Sequence, residues 1–175
     1  MLQFMQMVIP VVNCRSGDLE CVSEKVRLAE KFATWIHLDV ADGRFTFHKT
    51  WADPDGWRKL NTSLNLEVHF MTEEPEEIVP FWIDAGAKRI IVHIETIREE
   101  TFREILNSVQ NYGVSLMLAL NPETAEEELR PYLRRAKEFQ VLAVHPGLPG
   151  QKFLPLVLDK VSFLRNEIPE ARIEV

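Results

Sequence analysis

The chain has 175 residues, 46% of them hydrophobic, and a net charge of −7 from 20 basic and 27 acidic residues. This size fits a single domain over residues 1–175, and the scattered basic residues argue against nucleic acid or an anionic membrane as a partner. No apolar run approaches the ~20 residues of a membrane span.

Targeting signals and cysteine usage both point to the cytoplasm. Residues 1–6 lack the basic region and the small-residue cleavage site of a secretory leader. The two cysteines, Cys14 and Cys21, match no disulfide or metal-knuckle framework. We therefore expect a reducing, cytoplasmic setting.

Short apolar runs alternate with longer amphipathic segments along the chain. The pattern predicts strands at 7–12, 36–40, 64–71, 89–93, 115–120, 139–144 and 172–175. It predicts helices at 18–32, 54–60, 72–85, 99–111, 121–137 and 154–167. Such repeated strand–helix units indicate an α/β domain with a parallel sheet. The alternative to a barrel is an open doubly wound sheet, but no Gly-rich phosphate loop follows the first strand.

The second predicted strand carries a histidine and a carboxylate on one face. Residues two apart in a strand share a face, so His37 and Asp39 point the same way. Asp42 and Gly43 then end the strand with turn chemistry. This pair is either a functional site at the end of the strand or a buried structural hydrogen bond.

Four of the five histidines follow an apolar β-branched residue at a predicted strand end: His37, His69, His93 and His145. In a (β/α)8 barrel the carboxyl ends of all strands converge on the mouth that holds the active site. Singly, each is an ordinary rim histidine. Together with Asp39 they favour a barrel with a site at this mouth.

Five segments at the predicted strand ends carry a family resemblance: 37–45 (HLDVADGRF), 67–71 (EVHFM), 92–95 (VHIE), 119–124 (ALNPET) and 144–153 (VHPGLPGQKF). In order and spacing they resemble the motifs of the ribulose-phosphate 3-epimerase family, over essentially the whole chain. The resemblance implies a (β/α)8 TIM barrel and an isomerase of the pentose phosphate pathway. Such an enzyme interconverts D-ribulose 5-phosphate and D-xylulose 5-phosphate through an enediolate, with a divalent metal and two aspartates.

By this resemblance His37, Asp39 and His69 are metal ligands, and Asp39 is also a catalytic acid/base group. Neutral imidazole with carboxylate suits Zn, Fe, Mn or Co. The resemblance also assigns substrate binding to Cys14, His69, Gly147, Leu148, Pro149 and Gly150. Backbone amides of the Gly-rich loop would hold the phosphate, although Pro149 stands where the family has glycine and offers no N–H.

The family continues from a strand such as 173–175 into an Asp-Gly-Gly segment, which holds the second catalytic aspartate, and then into an eighth strand. We therefore expect an incomplete barrel of seven strands, truncated at its C-terminus, whose open edges favour a homo-oligomer. Two alternatives stay open. One is another sugar-phosphate barrel enzyme, such as an allulose-6-phosphate 3-epimerase, a decarboxylase or an aldolase, and the other is a non-catalytic metal-binding remnant.

Overall fold

In a computed structural model, which describes residues 7–175, parallel strands alternate with helices. Residues 1–6, on which the prediction about a leader rests, lie outside the described residues. Strands β1 to β7 are Val11–Val12, Trp35–Ala41, Asn65–Met71, Arg89–His93, Ser115–Leu120, Glu138–Val141 and Arg172–Glu174. Helices α1 to α5 are Leu19–Ala29, Pro54–Leu60, Pro75–Asp84, Glu99–Asn111 and Val157–Glu167, and Glu126–Leu129 forms a 3-10 helix.

The sheet is curled into an incomplete barrel. Its strands follow chain order from β1 to β7 and all pairs are parallel, whereas a doubly wound sheet reverses its order at a switch point. His37 Nδ1 on β2 lies 3.6 Å from Glu174 Oε1 on β7. In a flat sheet five strand spacings would separate β2 from β7 by roughly 24 Å. The predicted incomplete (β/α)8 barrel is confirmed, and the open-sheet alternative is wrong.

The two faces of the sheet have different chemistry. Leu38, Val68 and Val92 point outward and are fully buried in the main core, which the helices cover. The inward face holds a small apolar cluster of Ile91, Met117, Ala119 and Leu142. Most other inward positions of β2, β3 and β4 carry histidines or charged residues. The barrel interior is therefore where polar chemistry concentrates.

The first strand is shorter than predicted. Only Val11 and Val12 pair with β2, although residues 7–12 form one apolar run. Pro10 has no N–H for a ladder hydrogen bond, while its carbonyl accepts the His37 N–H at 2.9 Å. The proline therefore allows one contact with β2 but ends the regular pairing.

The predicted helix over residues 121–137 is wrong. Only Glu126–Leu129 is helical, and turns follow it to residue 135. Pro131 falls inside the predicted helix, where its ring and missing N–H interrupt the hydrogen-bond ladder. Leu129 and Ala136 are buried nevertheless, so the irregular segment still covers the sheet. Among residues 7–175, no helix has the length and hydropathy to cross a membrane.

Candidate metal and active site

Strands β2 and β3 bring three predicted site residues together in the barrel interior. His37 and Asp39 lie two residues apart on β2, and Asp39 stands directly opposite His69 on β3 in the parallel register. Both histidines are buried, and Asp39 is partly buried. The alternation of the strands and their pairing therefore place all three side chains on one inner surface.

A single carboxylate oxygen joins the two imidazoles. His37 Nε2 lies 3.2 Å and His69 Nδ1 lies 3.1 Å from Asp39 Oδ1. Ligand atoms bound about 2.0–2.1 Å from a tetrahedral metal stand roughly 3.3 Å apart, which is close to these spacings. Two imidazole nitrogens and one carboxylate oxygen suit a divalent transition metal. The three residues therefore fit a metal site.

A second group of possible ligands shares His37. His37 Nδ1, Glu67 and Glu174 also offer atoms within 4.8 Å of one another. Arg89 forms an ion pair with Glu67, and its Nη1 lies 3.8 Å from Glu174 Oε2. Since the guanidinium already compensates these carboxylates, the first group is the better metal site.

Burial and hydrogen bonding shift the pKa values of the two histidines in opposite directions. Burial opposes a charge on His37, but the hydrogen bonds to Asp39 and Glu67 outweigh it and raise the pKa of His37 to about 10. Burial lowers the pKa of His69 to about 4, against the opposing hydrogen bond to Asp39. Burial would raise the pKa of Asp39, yet its hydrogen bonds to both histidines hold this pKa well below its usual range. At neutral pH, Asp39 is ionised and His37 is protonated when no metal competes for its nitrogen.

A buried ion pair lies directly behind His37, and the sequence reasoning missed it. Glu67 Oε1 accepts a hydrogen bond from His37 Nδ1–H at 2.7 Å, and the other oxygen of Glu67 pairs with Arg89. Both side chains are almost wholly buried. Arg89 Nε also lies 2.8 Å from Glu138 Oε2. This arrangement leaves His37 Nε2 directed at Asp39, as a metal ligand requires.

Asn13 supports the other oxygen of Asp39 and was also missed. Its Nδ2 donates to Asp39 Oδ2 at 2.9 Å and to the Gly147 carbonyl at 3.3 Å. Asn13 therefore connects the end of β1 to both the candidate metal site and the loop that follows β6. An asparagine after an apolar strand carries no sequence signal for this role, because the contacts depend on how far the sheet curls.

The predicted phosphate loop lies next to these residues. Gly147 has φ 125°, and a Cβ there would lie 3.3 Å from a ring carbon of His48, so the position favours glycine. Gln151 Nε2 ties the loop together by donating to the carbonyls of His145 at 2.7 Å and Leu148 at 2.8 Å. Pro149 supplies no N–H, which leaves Gly147, Leu148 and Gly150 as the backbone donors of the predicted set.

Cys14, which the resemblance assigns to substrate binding, is not a free thiol. It is buried and forms a disulfide with Cys21 of α1, with the two Cα atoms 6.1 Å apart. The expectation that the cysteines match no disulfide framework is wrong. The turn after β1 reverses the chain, so a residue at the strand end faces the first turn of the next helix. Spacing along the sequence does not reveal such a contact.

The structure brings together three of the four strand-end histidines. His69 Nε2 lies 2.8 Å from His93 Nε2 on β4. His145 instead lies beyond β6, where its Nδ1 is 2.8 Å from Glu123 Oε1 and both side chains are exposed. Strand β6, which precedes His145, ends earlier than predicted, at Val141. This histidine therefore belongs to a surface loop.

Comparisons with known proteins agree with this geometry. A sequence model described as the Ribulose-phosphate 3 epimerase family matches residues 13–175. The chain is 36% identical over 166 residues to ribulose-phosphate 3-epimerase of Chlamydia trachomatis serovar D, covering 93% of this chain and 70% of that protein. It is 33% identical over 158 residues to the cytoplasmic isoform of ribulose-phosphate 3-epimerase of Oryza sativa subsp. japonica, covering 87% and 68%. The match to the ribulose-phosphate 3-epimerase of Schizosaccharomyces pombe is 31% over 166 residues and covers 91% and 72%. With a parallel barrel and its inward His–Asp–His group, the chain belongs to the ribulose-phosphate 3-epimerase family.

Proposed function

We propose that this chain carries the metal site and one acid/base group of an enzyme that interconverts D-ribulose 5-phosphate and D-xylulose 5-phosphate. The observation that carries the proposal is the convergence of His37 Nε2, His69 Nδ1 and Asp39 Oδ1 in a member of this family. These three residues would hold a divalent cation, for which Zn, Fe, Mn and Co are the candidates. A bound cation supplies Lewis-acid stabilisation of the negative charge that develops on the substrate oxygens.

Asp39 is the group we assign to proton transfer at C3 of the sugar phosphate. It is ionised at neutral pH, and Asn13 and the two histidines hold both of its oxygens in place. A positioned carboxylate can remove and return a proton on one face of the substrate. Inversion needs a second group on the opposite face, for which the family resemblance implies a second aspartate. We assign binding of the phosphate to the amides of Gly147, Leu148 and Gly150, as the family resemblance implies.

Solvent exchange tests this proposal directly. In deuterated water, with a divalent metal present, we expect the protein to replace the C3 hydrogen of D-ribulose 5-phosphate by deuterium, as measured by NMR. Removing the metal with a chelator should stop the exchange, and adding it back should restore it. A metal-loaded protein that leaves the C3 hydrogen of both D-ribulose 5-phosphate and D-xylulose 5-phosphate in place would contradict the proposal. Exchange on a six-carbon ketose phosphate in its stead would support the related allulose-6-phosphate epimerase.

Metal uptake should depend steeply on pH. His37 must lose its proton before Nε2 can bind a cation, and its pKa is raised to about 10 by Asp39 and Glu67 against the effect of burial. Below that pKa, binding releases a proton, so the apparent affinity should rise about tenfold per pH unit. Co²⁺ titrations against a competing chelator at pH 6, 7 and 8 measure this slope. The same affinity at all three pH values would show that His37 releases no proton when the cation binds.

Two further expectations stay predictions. Within residues 7–175, β1 and β7 each pair with a single strand, which leaves backbone edges that favour a homo-oligomer. Cytoplasmic localisation also stays a prediction, but the Cys14–Cys21 disulfide removes the support that reduced cysteines gave it.

A further inference from the structure

A hydrogen-bonded series of three side chains leads from the proposed metal site past the carboxyl end of β4. His69 Nε2 lies 2.8 Å from His93 Nε2, and His93 Nδ1 lies 3.1 Å from Glu95 Oε2. His69 and His93 are almost completely buried, and the ring of Phe45 packs on His93 with centroids 4.6 Å apart. None of these atoms is one of the three ligand atoms of the proposed metal site.

Glu95 determines which atoms donate the hydrogen bonds in this series. Its Oε1 accepts hydrogen bonds from the Asn121 N–H at 2.7 Å and from the Thr124 hydroxyl. A carboxylate held by such donors is ionised at neutral pH and only accepts hydrogen bonds. His93 Nδ1 must therefore donate to Glu95.

The proton positions on the two histidines follow from this donation. A neutral imidazole that donates through Nδ1 has its lone pair on Nε2. His93 Nε2 then accepts a hydrogen bond from the group 2.8 Å away, His69 Nε2–H. When a cation takes the place of the hydrogen bond between His69 Nδ1 and Asp39 Oδ1, a His69 that donates through Nε2 has the lone pair on Nδ1 that the cation needs.

We propose that Glu95 and His93 are positioning residues that fix the tautomer and orientation of His69, so that Nδ1 is presented to the metal. This inference rests on the proposed metal site. The two ligand histidines are then supported in the same way, because Glu67 accepts the Nδ1–H of His37 and so leaves Nε2 as the nitrogen that faces the cation. Partners of this kind typically change metal affinity by 10–100-fold when removed.

Variants at His93 separate positioning from packing. His93→Leu removes the acceptor for His69 Nε2–H. His93→Gln keeps a carbonyl oxygen that can accept this hydrogen bond. Ile91→Val serves as the matched packing control, because Ile91 lies opposite His69 in the same interior, two residues before His93 on β4, and offers no hydrogen bond. Competition titrations with Zn²⁺ should show about 10–100-fold weaker binding for His93→Leu, partial recovery for His93→Gln and no change for Ile91→Val.

Removing the charge of Glu95, the last side chain of this series, should also weaken Zn²⁺ binding. Glu95→Leu takes away the acceptor of His93 Nδ1–H, and we expect weaker Zn²⁺ binding than in Glu95→Gln, which keeps a carbonyl oxygen. Melting curves of the metal-free variants show whether each still folds. A variant that does not fold is set aside, and the imidazole measurement on the unmodified protein then decides.

Imidazole ¹⁵N NMR of the Zn²⁺-loaded protein reads the tautomers without any substitution. We expect the proton of His93 to be on Nδ1 and the proton of His69 to be on Nε2. A His93 proton on Nε2, or Zn²⁺ affinities of His93→Leu and Glu95→Leu within threefold of the unmodified protein, would overturn the inference. If the unmodified protein does not bind Zn²⁺ or Co²⁺ at all, the proposed function fails instead.

Discussion

An Asp39→Asn variant, saturated with metal, is expected to exchange the C3 hydrogen of D-ribulose 5-phosphate about 10²–10⁴-fold more slowly than the unmodified protein. The amide has nearly the same shape as the carboxylate but cannot accept the proton. It also replaces the anion that lies between His37 and His69. The rate of deuterium incorporation, measured by NMR at saturating substrate, gives the effect.

The matched control is the same chemical change at an exposed site. Asp159 lies on the surface in the first turn of α5, away from the barrel interior. Asp159→Asn should leave the exchange rate unchanged. Exchange by Asp39→Asn at the unmodified rate, in protein shown to contain metal, would mean that another group removes the proton.

Replacing Arg89 by Met is expected to lower the free energy of unfolding by about 3–5 kcal/mol, because it leaves buried carboxylates without their cation. Arg89 is 1% exposed and pairs with Glu67, which is fully buried, and with Glu138. Methionine fills much of the volume of the arginine stem but offers no charge. Urea unfolding monitored by circular dichroism measures the loss.

An exposed arginine provides the control for this prediction. Arg44 pairs with Glu73 and Glu74, but all three side chains are about half exposed. Water and salt screen such pairs, so Arg44→Met should change stability far less than Arg89→Met. The double variant Glu67→Leu/Arg89→Met should recover part of the stability that Arg89→Met loses. Equal effects at the two arginines would show that the interior network is not stabilised by charge compensation.

Apolar periodicity predicted most of the fold. The bounds of α2, β4, α4 and β5 match the predicted segments residue for residue, because their apolar patterns end at clear caps or turns. The two largest errors lie at prolines. Pro10 shortens β1 and Pro131 prevents the helix predicted over 121–137, so a local constraint on the backbone outweighed the apolar pattern in both places.

Only part of the candidate metal site could be predicted from the sequence. Strand alternation placed His37 and Asp39 on one face, and the resemblance added His69 from the neighbouring strand. Glu67 and Arg89 could have been suspected, because charged residues on inward positions of a buried strand need partners. Asn13 and the Cys14–Cys21 disulfide could not, because these contacts arise from the curl of the sheet and the reversal of the chain after β1.

Crystals of the protein grown with Co²⁺ and measured at the cobalt absorption edge would locate the metal directly. We expect one strong anomalous peak about 2.0–2.2 Å from His37 Nε2, His69 Nδ1 and an oxygen of Asp39. A peak among His37, Glu67 and Glu174, or no peak at a saturating concentration of metal, would contradict the assignment of these three residues as the metal site.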